Sequence, residues 1–259
     1  MIEEPYRWVE AVVNRREYIE TQLASGSPIA AVSCREGIVL LTVGRSRQKV
    51  FEIYDRIAMG AIGHPGDIER LRLAAIELAS TEGFTRSAAD VSLRRLAYYS
   101  LSPVLKAAFE QVYGAPYLVR MLFAEIGGRP EEDSYLRVEY DGAIATSGQA
   151  PAETPSGFSV LSGTTNSTEL MESFLKQAHD PSAKLGKALQ VALDAWGVGQ
   201  MALGEGGVRE LPEREAIVAE RQKHLESGAI DAVLLEREAK SAIRYRALPA
   251  EEISSLAAR

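Results

Sequence analysis

Few residues of this 259-residue chain have the type and spacing that chemistry requires. His64, His179 and His224 are scattered along it, which predicts three ordinary histidines and not a metal site. Cys34 is the sole cysteine, so neither an intrachain disulfide nor a cluster of zinc-binding thiolates can form. The glycine-rich run at 204–207 lacks the Lys and the Ser or Thr that complete a phosphate-binding loop. We therefore expect neither a metal nor a cofactor.

The composition is that of an ordinary globular protein, with 46% hydrophobic and 25% charged residues. A net charge of −7 argues against binding to a nucleic-acid backbone, which needs a concentrated basic face. No apolar run approaches the ~18–20 residues of a membrane span, and the acidic start at 1–5 differs from a secretory signal. We expect a cytoplasmic protein with neither nucleic-acid nor membrane partners.

The first part of the chain predicts one helix and about four strands. Apolar residues at 6–23 recur at helical spacing, and Pro5 suits the start of a helix. Strand patterns follow at 29–33, 38–43, 49–54 and 57–62. A glycine turn joins the first two of them, so we expect these strands to pair mostly antiparallel.

Helices and strands then follow in blocks. Helical spacing predicts a helix from Asp67, its N-cap, to about 83, and a second from about 87 to 112 with Pro103 inside it. Later elements are strands at 117–126, 134–140, 158–161, 229–236 and 241–246, and helices at 168–178 and 183–196. Paired helices between blocks of strands favour two stacked antiparallel sheets with helices on both outer faces. Residues 197–228, glycine-rich and then charged, are expected to form an exposed insert.

Four strings along the chain carry a resemblance to a known family. They are GSPIAAV at 26–32, KVFEIYDR at 49–56, LRVEYDG at 136–142 and GTT at 163–165. In this order and spacing they resemble the proteasome α-type subunit, most closely its actinobacterial form. The resemblance implies an α+β fold, the four-layer αββα sandwich of the N-terminal nucleophile hydrolases with an extra N-terminal helix. It also implies one domain over 1–259, in which 1–25 form a gate segment and capping helix.

The resemblance raises the question of catalysis. The related β-type subunits are threonine peptidases, which need a hydroxyl on the first mature residue and its free α-amine as the base. The nucleophile position falls at Ser27 and the lysine position at Lys49, but the aspartate position falls at about Val43, which cannot bear charge. A permanent helix before Ser27 would also leave no free amine there. The resemblance therefore implies a non-catalytic subunit of a threonine-type endopeptidase complex.

Two alternatives remain open at this point. The first is a self-processing N-terminal nucleophile peptidase or amidase that uses Ser27. The second is a freestanding scaffold with the same fold and no β partner.

In the family, α-type subunits form a heptameric ring that templates the β ring, gates the axial pore and docks an AAA ATPase ring. The resemblance places the gate at Ile2, Glu3, Glu4, Pro5, Tyr6, Arg7 and Trp8. It gives Lys49 the task of receiving the C-terminal carboxylate of an ATPase tail, with Gly63 and His64 on the backbone side of the pocket. An ordinary chain terminus and an edge-strand lysine that discourages aggregation are the competing interpretations.

Overall fold

Ten strands in the described part of the chain form two antiparallel sheets. The computed structural model describes residues 5–44, 48–111, 114–146, 157–204 and 206–257. The strands are β1 (Ile29–Cys34), β2 (Gly37–Gly44), β3 (Val50–Tyr54), β4 (Ile57–Gly63), β5 (Val119–Glu125), β6 (Ser134–Val138), β7 (Ile144–Thr146), β8 (Phe158–Leu161), β9 (Ala229–Glu236) and β10 (Tyr245–Ala247). One sheet has the order β10-β9-β2-β1-β8 and the other the order β3-β4-β5-β6-β7.

Helices surround the two sheets. They are α1 (Pro5–Leu23), α2 (Pro65–Thr85), α3 (Leu93–Leu96), α4 (Ser102–Glu110), α5 (Thr165–Ala178), α6 (Leu185–Met201), α7 (Arg214–Leu225) and α8 (Ala250–Ala257). Helices α5, α6 and α8 pack on the first sheet, whereas α2 to α4 pack on the second.

Strand β1 shows why the strands are apolar on both faces. Ile29 and Ala31 belong to the core between the two sheets, whereas Ala30 and Val32 belong to the core between the first sheet and its helices. Because side chains alternate along a strand, a strand with a core on each side must be largely apolar on both faces, and the one polar residue of β1, Ser33, is hydrogen-bonded. The predicted four-layer αββα sandwich with an N-terminal helix is confirmed.

The predicted helix at 87–112 is wrong as a single element. The structure has a 3₁₀ turn at Ala88–Asp90, then α3, a π-helical turn at Ala97–Leu101 and α4. Pro103 lies in the first turn of α4. Leu101 and Ser102 keep helical dihedral angles, so the helical run is continuous from Leu93 to Glu110 and Pro103 lies inside it, just after the π-helical turn.

Two further predictions need correction. Asp67 is not the N-cap of α2, because the helix begins at Pro65 and the cap is His64. The expected insert at 197–228 is in its first part not exposed. Helix α6 continues to Met201, and Val198 and Gly199 within it are buried. Residues 206–228 are mostly exposed, although Ile217 of α7 is buried against α6.

Candidate functional site

An open cavity of about 450 Å³ lies where the end of α1 meets the edge of the second sheet. The chain contributes Leu23 from α1, Phe51 from β3 and Ile62 from β4 to largely apolar walls. Lys49, just before β3, lines the same cavity. The fold thus places a lysine side chain among apolar groups at an accessible position.

Lys49 is held at its backbone and unpaired at its ammonium. Its N–H donates to the Asp231 carboxylate at 2.8 Å, and its carbonyl accepts from the N–H of Ala61 at 3.0 Å. Within the described ranges its ammonium has no hydrogen bond or ion pair. Burial lowers the pKa of Lys49 below its ordinary value, and the nearby Asp231 carboxylate offsets this only in part.

Gly63 joins Lys49 in the cavity, but His64 does not. At φ +135° Gly63 lies in a region that favours glycine, and a Cβ there would meet the Leu118 carbonyl oxygen at 2.0 Å. The Nδ1 atom of His64 instead accepts from the N–H of Gly66 at 3.2 Å, which caps α2. Of the three residues expected to form a docking pocket, two line the cavity and the third caps the helix beside it.

Ser27 also lines the cavity, with its hydroxyl already engaged. Its Oγ donates to the Val43 carbonyl at 2.8 Å and accepts from the Trp196 indole N–H at 3.2 Å. Val43 itself is a buried strand residue at the predicted aspartate position. The bonds of Ser27 are therefore those of a structural hydroxyl that joins the start of β1 to β2 and α6.

Helix α1 is fastened to the sandwich directly before Ser27. Ile19 and Leu23 are buried, and Glu20 accepts from Arg120 at 2.6 Å and from the Tyr140 hydroxyl at 2.7 Å. Arg120 is itself buried and also bonds Glu139 at 2.7 Å. The carboxyl-terminal half of α1 is thereby fixed over one end of the two sheets.

The predicted gate segment is only partly described. Ile2, Glu3 and Glu4 lie outside the described residues. Pro5, Tyr6, Arg7 and Trp8 form the first turns of α1.

Sequence reasoning missed a buried polar cluster at the far end of β1. The Asp133 carboxylate binds the Arg237 guanidinium through two hydrogen bonds of 2.8 and 2.9 Å. It also accepts from the Ser33 hydroxyl at 2.6 Å, and Ser33 lies 2.7 Å from the Tyr135 hydroxyl. The signal in the sequence is weak, since Asp133 and Arg237 are 104 positions apart.

The other described residues that could take part in catalysis or bind a metal do not come together in one site. Cys34 is buried, and burial raises the pKa of its thiol to about 11. Among the described residues, no group of three or more His, Cys, Asp or Glu side chains is arranged to hold a metal ion. None of the described helices is long and apolar enough to cross a membrane.

Comparison with known proteins places the chain in a family. A protein named proteasome subunit alpha from Kineococcus radiotolerans is 30% identical over 201 residues, which cover 76% of this chain and 79% of the relative. The proteasome subunit alpha of Streptomyces griseus is 31% identical over 212 residues, or 81% and 73% of the two chains. That of a Nocardioides species is 32% identical over 186 residues, or 71% and 68%. No family model matches the chain. Given this identity over more than two thirds of each chain, the protein belongs to the bacterial proteasome α-subunit family.

Proposed function

We propose that this chain forms the heptameric α ring of a bacterial 20S core particle and docks an AAA ATPase at the Lys49 cavity. In this proposal the ring also templates a β ring, whose subunits supply the threonine-type peptidase activity. Membership of the α-subunit family supports assembly with other proteasome subunits. The observation that carries the docking role is that the Lys49 ammonium lies in an open cavity and has no partner among the described residues.

The cavity suits a peptide that ends in a free carboxylate. The half-buried ammonium has lost part of its hydration and has no hydrogen-bond partner in the described ranges, so an incoming carboxylate would offset that loss. Charge-assisted hydrogen bonds of this kind are about twice as strong as neutral ones. Phe51, Ile62 and Ile68 offer apolar surface to the side chains next to the carboxylate.

Exposed apolar side chains support contacts with further subunits. On α1 these are Val9 and Tyr18, and on α2 they are Leu73 and Phe84, the last with 91% of its surface exposed. Large apolar groups at a protein surface commonly mark interaction sites. Both helices therefore offer surfaces that neighbouring subunits could cover.

The state of Ser27 supports a non-catalytic role. A serine nucleophile needs a base to take its proton, whereas the Ser27 hydroxyl donates to a main-chain carbonyl. The chain before it is the fastened helix α1. A self-processing peptidase that uses Ser27 remains the second candidate, because Ser27 and Lys49 do line one cavity.

Assembly and processing can be tested together. The chain would be co-expressed with the β-type subunit of the same organism, and the complex analysed by native and intact-mass spectrometry. We expect a two-component complex in which this chain retains the residues before Ser27. A chain that starts at Ser27 would overturn the non-catalytic role, and a chain that never binds the β subunit would overturn the α-ring role.

Docking can be tested with a peptide that matches the C-terminus of the partner ATPase. Loss of the ammonium in Lys49→Ala should weaken its binding to the assembled particle by about tenfold or more. Lys49→Arg should retain more affinity, and the control Lys106→Ala, at an exposed lysine on α4, should change nothing. The C-terminally amidated peptide should bind weakly to every variant. Equal binding of the acid and amide forms would contradict the docking role.

The gate segment can be tested in the same particle. Deletion of residues 2–8 should raise the hydrolysis of short peptides without an ATPase, because a gate would otherwise limit their entry. An unchanged rate in an intact particle would remove the gate from the proposal.

A further inference from the structure

A second open cavity, of about 640 Å³, adjoins the Lys49 cavity along strand β3. The residues that line both cavities are Gln48, Phe51 and Glu69. The second cavity then follows β3 as far as Asp55 and is bounded on its other side by Ile243 and Tyr245. We call it the β3 groove. Because the two cavities share part of their walls, a peptide that occupies the first can continue into the second.

The β3 groove presents negative charge that has no partner. Glu52 and Asp55 line it, and within the described ranges neither carboxylate has a hydrogen bond or an ion pair. The other charged groups of the lining bind each other, since Arg72 donates to Glu69 through two hydrogen bonds of 2.7 and 2.8 Å. Partial burial raises the pKa of Glu52, and the negative charge of Asp55 raises it further. A positively charged group between the two carboxylates would therefore be stabilised.

Apolar and aromatic side chains surround these carboxylates. Tyr54, Ile76 and Ile243 line the groove, and 53% of the surface of Ile243 is exposed. Tyr245 is fixed in place because its hydroxyl donates to the Val50 carbonyl at 3.1 Å. Lysine and arginine can pack their aliphatic stems on such a surface while the charged end reaches a carboxylate, and aromatic rings also attract cations. The lining thus fits a basic side chain of a peptide.

The length of β3 sets where that basic side chain should lie in the peptide. At about 3.3 Å per residue, Glu52 is about 10 Å along the strand from Lys49, and Asp55 is within about 20 Å. An extended peptide has the same rise per residue. With its terminal carboxylate at Lys49, a peptide that runs antiparallel to β3 therefore brings the residue about three positions back to Glu52 and the residue about six positions back toward Asp55.

We propose that the β3 groove binds the part of the ATPase tail that precedes its terminal residue, and that it selects a lysine or arginine about three to six positions before the terminal carboxylate. This inference rests on the proposed docking function. It adds a sequence preference that a single contact between Lys49 and the carboxylate cannot provide, because every peptide with a free C-terminus carries that carboxylate.

The preference is tested on the assembled particle with short synthetic peptides that match the C-terminus of the partner ATPase. Matched peptides carry Lys, Ala or Glu at each of the positions from the third to the sixth before the C-terminus. We expect the best Lys peptide to bind about threefold or more tighter than its Ala counterpart, and the Glu peptide to bind more weakly than either. High salt should reduce the difference, because exposed charges are screened.

Variants of the groove identify the groups responsible. In the double variant Glu52→Gln with Asp55→Asn, the Lys and Ala peptides should bind within about twofold of each other. The control, Glu169→Gln with Glu251→Gln at exposed positions on α5 and α8, removes the same charge and should keep the preference. Equal binding of the Lys and Ala peptides to the parent particle, or a preference that survives in the groove variant, would overturn the proposal.

The amidated peptides and Lys49→Ala separate this proposal from the docking role. Acid peptides that need Lys49 but show no preference for Lys would overturn the groove and leave the docking role in place. Acid peptides that bind no better than their amides would overturn the docking role and the groove with it. Native mass spectrometry covers one more outcome. If the groove variant no longer assembled, the two carboxylates would contact a neighbouring subunit, and their assignment to the tail would be wrong.

Discussion

A serine lies near each end of strand β1, and the two serines have opposite surroundings. Ser33, within β1, is fully buried and bonds the carboxylate of Asp133 at 2.6 Å. Ser27, two residues before the strand, lines an open cavity and bonds a main-chain carbonyl. Ser33 has a potential base beside it but no space for a substrate. Ser27 has space for a substrate but no base among its hydrogen-bond partners.

The difference shows why a hydroxyl at a promising position is weak evidence of catalysis. A nucleophilic serine needs a base within hydrogen-bond reach and space for a substrate at the same time. Because the Asp133 carboxylate can only accept, the Ser33 hydroxyl donates to it and accepts from Tyr135. Burial and the charge of Asp133 raise the pKa of Tyr135 well above its ordinary value, so it remains a donor. The end of β1 at Ser33, the closed end, is organised for stability, whereas the end at Ser27, the open end, leaves room for the docking that we propose.

The largest expected effect concerns the closed end. Asp133→Ala should lower the free energy of unfolding by about 3–5 kcal/mol, because the Arg237 guanidinium would stay buried without its carboxylate. Urea unfolding at a fixed protein concentration measures this loss. Asp90→Ala, at an exposed position, is the control and should change stability by less than about 0.5 kcal/mol. A loss below about 1 kcal/mol for Asp133→Ala would show that the pair contributes little.

The same contrast shows what the sequence can and cannot predict. Strands β8 and β9 have the predicted bounds, because β8 is buried throughout and residues 232–235 of β9 are buried on both faces. The break after α2 was predicted, but the late start of α3 and the π-helical turn at Ala97–Leu101 were missed, since the apolar spacing continues through both and the capping role of Ser92 is local. The bond between Asp133 and Arg237 spans 104 positions and has no local pattern.

The candidate site was predictable only in part. The family resemblance pointed to Lys49 and Gly63, and the structure brings both into one cavity. His64 was not predicted as a cap, because Gly63, Pro65 and Gly66 around it are typical of a turn and did not indicate that α2 begins at Pro65. Among the described residues the Lys49 ammonium has no partner: Asp231 accepts from the Lys49 backbone N–H, and Glu69 pairs with Arg72. No spacing rule expresses this arrangement.

A smaller loss is expected when the hydroxyl at the closed end is removed. Ser33→Ala should lower the free energy of unfolding by about 1–3 kcal/mol, because Asp133 and Tyr135 would each lose a buried partner. The measurement is urea unfolding beside the Asp133 variant. If Ser33→Ala were as stable as the parent chain, the serine would not be an essential member of the network.

The matched change at the open end should have less effect. Ser27→Ala removes bonds to Val43 and Trp196 beside a cavity that water can enter, so we expect a loss below about 1 kcal/mol. Peptide hydrolysis by the assembled particle should not change. A fall in hydrolysis would instead favour the self-processing peptidase, and a loss larger than that of Ser33→Ala would reverse the contrast between the two ends.

The smallest expected effect on stability is at Lys49, and it has the opposite sign. Because burial lowers the pKa of Lys49, the folded chain releases this proton at a lower pH than the unfolded chain does. Over that window the unfolded state binds more protons, so stability should rise with pH toward the ordinary lysine pKa. Lys49→Met removes the buried charge and keeps an unbranched side chain that is one heavy atom shorter. It should therefore leave stability unchanged or raise it by up to about 1 kcal/mol at pH 7.5.

Urea unfolding at pH 7.5 and 9.5 would test this sign, with Lys106→Met at an exposed lysine as the control. The difference between Lys49→Met and the parent chain should narrow at the higher pH, whereas the control should follow the parent at both. If Lys49 only protected an edge strand, the parent chain would be as stable as Lys49→Met or more stable at both pH values. If Lys49→Met were stable but no longer bound the ATPase-tail peptide, the role of Lys49 would lie in recognition. Its positive charge would then lower the stability of the fold and raise the affinity for the peptide.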